Sequence, residues 1–167
     1  MVNAVAHILI PIILADIYRD YISRRKFPLA YVMLAGIGGI LPDIDVAVYW
    51  LLNALSGTAL GEVHRTITHT LLMPAIILAA AGITYKLSKK AAYAMLAITF
   101  GYLMHLLLDY AIIGTIMPFY PFSAARYGLS VIPATELGST IVTGIDAILL
   151  TAWLVYDFSK HNIKEFI

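Results

Sequence analysis

Apolar residues run along this chain in five blocks separated by short polar breaks. The blocks are roughly Val2–Tyr18, Pro28–Leu41, Ile67–Tyr85, Ala91–Ile113 and Thr140–Phe158. A helix needs ~20 apolar residues to cross a ~30 Å hydrocarbon core. The pattern therefore predicts an all-α, integral membrane helix bundle of about five spans in one domain over residues 1–167. The second block is short, because Pro42 ends it and Gly36, Gly38 and Gly39 loosen it. Val46–Leu55 reads as a further short helix after Pro42-Asp43-Ile44-Asp45, lying along the interface or dipping into it. The three glycines, with Ala91, Ala92 and Ala94, let helices approach closely.

The polar exceptions to this pattern are not scattered. Four of the five histidines fall in His7, in His64-Arg65-Thr66-Ile67-Thr68-His69 and in His105 four residues before Asp109, and Asp43 and Asp45 join them. Ionisable groups in apolar segments are costly to bury, so each needs a partner, and one metal ion can serve several.

Composition sharpens this. The chain is 61% hydrophobic and 13% charged, with a mean hydropathy of +0.86. That leaves a soluble all-α enzyme with an unusually apolar core as the alternative. Met1–Tyr18 has no basic n-region and no small-residue cleavage site, so the first segment is expected to stay as a helix. A net charge of +1 gives no sign of a nucleic-acid partner, and no phosphate-binding loop or dinucleotide fingerprint appears. With no cysteine, a metal must be held by imidazole and carboxylate. Zinc leads, with manganese, iron or cobalt as alternatives, as one or two divalent ions.

Positive charge sets the expected orientation. Arg19, Arg24, Arg25 and Lys26 follow the first block, Lys86, Lys89 and Lys90 the third, and Lys160 and Lys164 the fifth; Arg65 and Arg126 fall on the other side. The positive-inside rule then puts the N-terminus outside and the C-terminus in the cytoplasm. On that topology His7, Asp43, Asp45, His64 and His69 lie near the outer ends of their blocks. His105 lies about fifteen residues from the inner end of the fourth, ~22 Å up at ~1.5 Å per residue. Two independent features, charge asymmetry and histidine position, thus agree on one layer near the outer face.

His105 and Asp109, four apart, share a helix face and can grip one ion; a hydrogen-bonded core pair is the alternative. His64 and His69 are ~140° apart on a continuous helix, but they can converge if His64 sits in the loop or first turn while His69 is already helical. Arg65 suits a phosphate or carboxylate, against a snorkelling role at the interface. Of Asp43 and Asp45, one can bind metal while the other orients a histidine or acts as general base; a polar capping turn is the plainer reading. His7 is a ligand or its support. Asp146, Thr68 and Arg126 are candidates for the surrounding shell. His161, on the inner tail, is left out.

In this order the residues resemble the YdjM-type family of membrane-bound metal-dependent hydrolases. The resemblance rests on His7, Leu41-Pro42-Asp43-Ile44-Asp45, His64-Arg65-Thr66-Ile67-Thr68-His69, His105-Leu106-Leu107-Leu108-Asp109 and Pro121-Phe122-Ser123-Ala124-Ala125-Arg126-Tyr127-Gly128. Ala124 and Ala125 stand where members often carry polar residues. The resemblance implies membrane location, metal dependence and hydrolysis, with kinship to zinc-dependent phospholipase C-like enzymes. The expected activity is hydrolysis of a phosphoester in a lipid or isoprenoid headgroup, with membrane lipids as substrate. Asp43 or Asp45 would act as base, and Arg65 would steady phosphate charge. A metal transporter, or a metal-binding membrane protein without hydrolase activity, is the alternative.

Overall fold

A bilayer cannot hydrogen-bond the backbone, so an apolar chain that crosses it must satisfy itself internally, as helices do. The computed structural model describes residues 4–23, 27–57, 66–112, 114–133 and 135–161. Their regular structure is helical: α1 (Ala4–Ile17), α2 (Leu29–Ile40), α3 (Ile44–Ser56), α4 (Leu72–Thr84), α5 (Lys89–Ala111) and α6 (Glu136–His161). Among them Leu29–Ser56, Lys89–Ala111 and Glu136–Lys160 are long and apolar enough to cross a membrane, and Leu72–Thr84 is a shorter apolar helix. The all-α membrane bundle that the pattern predicts is what the chain forms.

α2 ends at Ile40, just ahead of Pro42, where the sequence predicts the break. Pro42 sits in a single 3-10 turn, Leu41–Asp43, where a missing N–H costs little. The chain passes through that turn into α3, the short helix expected after the aspartates. The third block is helical only from Leu72; residues 67–71 form turns. His69 therefore lies in a turn, where the sequence reading placed it in the helix.

Glycines zip α2 to its neighbours. A Cβ on Gly38 would meet the Ile98 carbonyl, one on Gly39 the His7 carbonyl, and one on Gly101 the Ala35 carbonyl. Pro11 adds to this on α1. It cannot donate to the carbonyl of His7 four residues back, and that carbonyl is the one lying against Gly39. Val32, Ala35, Ile12 and Ala15 fill the rest of the seam.

Contacts fix the helix directions. Tyr31 donates to the Lys90 carbonyl at 3.4 Å, and His105 reaches the Gly39 carbonyl, so α2 and α5 run parallel. Val142 packs on Ala6 and Tyr156 bonds Asp20, so α1 and α6 also run parallel. Tyr85 meets Tyr93 while Met73 packs near Leu106, so α4 is antiparallel to α5. Ser88 opens α5, its hydroxyl accepting from the Ala91 amide at 3.3 Å, a cap worth ~1 kcal/mol.

At the other end of α5 the last carbonyls would be orphans. Leu129, Val131 and Ile132 donate to Tyr110, Ala111 and Ile112 at 2.7, 3.1 and 3.0 Å. The intervening segment folds back against the bundle. Ile116 and Tyr127 exchange two 2.9 Å bonds, and Leu71 donates to Pro118 at 2.9 Å.

Candidate metal centre

Each ligand candidate is carried by an element whose local structure aims it. His7 sits on α1 one turn before Pro11. Asp43 closes the 3-10 turn and Asp45 lies in the first turn of α3. Thr68 and His69 lie in the turns before α4. His105 and Asp109 share one face of α5, as their spacing predicts. His7, Asp45, His69, His105 and Asp109 are all at least 96% buried. Asp43 is the partly open member, its side chain 21% exposed.

The donor atoms converge. His69 Nε2 and His105 Nε2 are 3.2 Å apart. Asp43 Oδ1 lies 3.5 and 3.6 Å from them, and Asp109 Oδ2 lies 3.5 and 3.7 Å from the same two nitrogens. Ligands bonded at ~2.0–2.1 Å to one ion sit about 3.3 Å apart at tetrahedral angles. Hydrogen bonds prefer 2.7–3.2 Å. The separations match a shared ion better than direct bonds.

Proton placement leads to the same point. The Gly39 carbonyl can only accept, so His105 Nδ1, 2.7 Å away, carries the hydrogen. His69 Nδ1 lies 3.0 Å from Thr68 Oγ1 and 3.3 Å from Asp45 Oδ2, and Thr68 itself donates to Asp45 at 2.7 Å. In the neutral rings both Nε2 atoms therefore present lone pairs. With both rings neutral, two nitrogen lone pairs and two carboxylate oxygens face one another, an arrangement that a cation would fit. The hydrogen-bonded Nδ1 atoms are the outer support that metal-ligating histidines typically have.

The sequence candidates divide cleanly. His7, Asp43, Asp45, His69, His105, Asp109 and Thr68 come together. His64 and Arg65 lie outside the described residues. Asp146 is buried on α6, one turn beyond Val142, but belongs to neither group of converging ligand atoms. Arg126 is exposed on the folded-back segment. Sequence reasoning missed two supports. Tyr102 donates to the Thr68 carbonyl and holds the turn that carries His69; its position three residues before His105, on the same face, was the available signal. The Gly39 carbonyl has no side-chain signature at all.

A helical membrane bundle that buries an imidazole–carboxylate cluster among its spans defines the class of protein. The chain belongs to the YdjM family: the profile of the YdjM inner membrane protein matches residues 1–163. No curated protein and no solved structure matches the chain.

Proposed function

We propose that this protein is a membrane-bound metal-dependent hydrolase acting on a phosphoester of a lipid or isoprenoid headgroup at the non-cytoplasmic face. The observation that carries the reading is the convergence of two imidazole nitrogens and two carboxylate oxygens inside a membrane bundle. His69, His105, Asp43 and Asp109 would hold the ion, with zinc suiting the nitrogen and oxygen donors. A divalent ion bound there supplies Lewis acidity and lowers the pKa of water toward ~7.

The chain's own groups divide the remaining work. Asp45 and Thr68 orient His69. Asp43 would hold the ion through Oδ1 and, being partly exposed, would take a proton from water on its other oxygen. Arg65 would meet phosphate charge, a role read from the sequence. An open apolar groove of about 530 Å³ runs along α5, lined by Leu71, Phe100, Leu103, Leu107, Phe119 and Tyr127. A groove of this kind suits a hydrocarbon chain. Lys89, Lys90 and Lys160 cluster at the opposite end of the bundle, and the positive-inside rule assigns that end to the cytoplasm.

Metal transport is the second reading, favoured by buried acids on the seam between α1 and α6. Asp146 lies between the Ala6–Val142 and Asp20–Tyr156 contacts, and Asp16 is buried near the basic end. Proteoliposomes separate the two. The hydrolase reading expects release of phosphate or a phosphorylated headgroup from phospholipids or polyprenyl phosphates, stopped by chelator and restored by zinc. Metal uptake without turnover would replace it with the transporter.

A further inference from the structure

We propose that the centre takes two ions, with the Asp109 carboxylate as the bridge and His7 as a ligand of the second; this rests on the metal-centre reading above. The two oxygens of Asp109 address different partners. Oδ2 faces His69 and His105, whereas Oδ1 faces His7 Nε2 at 3.5 Å. That distance exceeds a normal hydrogen bond and repeats the spacing of the first ligand set.

His105 cannot serve both positions. Its Nδ1 is committed to the Gly39 carbonyl, which leaves Nε2 for one ion. His7, His105 and Asp109 have ligand atoms within 4.8 Å of one another, and the His7 ring stacks on His105 with centroids 3.8 Å apart and planes 23° from parallel. The triplet therefore resolves into a second position at His7 Nε2 and Asp109 Oδ1, beside the first.

A two-ion centre bridged by a carboxylate narrows the substrate chemistry. Two protein ligands leave the second ion with open positions, and adjacent ions with open positions suit the oxygens of one phosphoryl group.

The test is the zinc and manganese stoichiometry of the full chain in detergent, by equilibrium dialysis and elemental analysis. Wild type is expected to hold two ions, and His7→Ala and His7→Gln one. Manganese-loaded wild type is expected to give an exchange-coupled pair spectrum in electron paramagnetic resonance, and both variants an isolated-ion spectrum. One ion in wild type, two retained in both variants, or an uncoupled wild-type spectrum overturns the second ion and leaves the first standing. No ion in any of the three proteins overturns both readings.

Discussion

At the basic end of the bundle, Asp16 and Asp20 meet a guanidinium and a phenol. Arg19 lies 3.5 Å from Asp16 and 3.8 Å from Asp20, and Tyr156 donates to Asp20 at 2.6 Å. At the opposite end Asp43 and Asp109 face the imidazoles of His69, His105 and His7 instead. The first cluster holds a fixed positive charge of the chain, a guanidinium; an imidazole carries no fixed charge. A buried carboxylate can be held by a fixed cation of the chain or by one taken from solution, and on the reading proposed above this protein would use the first at one end and the second at the other.

The largest expected difference between the ends is in metal binding. His105→Ala should abolish tight zinc binding, measured by calorimetry, while Arg19→Gln keeps wild-type stoichiometry. Equal loss in both variants would erase the distinction. Next comes Thr68→Val, which removes the hydroxyl linking Asp45 to His69 and leaves the ligands in place. Loss of such an outer contact costs ~10–100-fold in metal affinity, so unchanged affinity would count against the oriented His69.

Packing provides the third test. Gly101→Ala drives a Cβ into the Ala35 carbonyl and should cost ~1–3 kcal/mol, along with metal affinity. Gly82→Ala meets open space and should be neutral or stabilising by up to ~1 kcal/mol. Thermal melting in detergent, with and without zinc, compares the two. The smallest effect is expected from Tyr156→Phe. One hydrogen bond to Asp20 is lost, ~1 kcal/mol, with metal content unchanged.

The helices were legible because apolar blocks near the length of a bilayer have few alternatives. The pairing of His105 with Asp109 was legible for a similar reason, since four residues on a helix is a fixed angle. The turn at His69 was not. Ile67-Thr68-His69-Thr70-Leu71 carries no proline or glycine to mark it, and the bond from Tyr102 that holds it comes from 34 residues away. Pro42 marked the end of α2 because a proline inside a helix removes a hydrogen bond and clashes with the preceding turn. Which histidine atoms Asp43 and Asp45 face was open in sequence; the 3-10 turn puts Asp43 against both Nε2 atoms and Asp45 against Nδ1 of His69.

X-ray absorption at the zinc edge of the purified, zinc-loaded wild-type protein tests the central claim most directly. The account predicts nitrogen and oxygen neighbours at ~2.0–2.2 Å, with the outer-shell scattering of at least two imidazole rings, reduced in His69→Ala. A zinc bound without imidazole, or a signal that His69→Ala leaves unchanged, would contradict it.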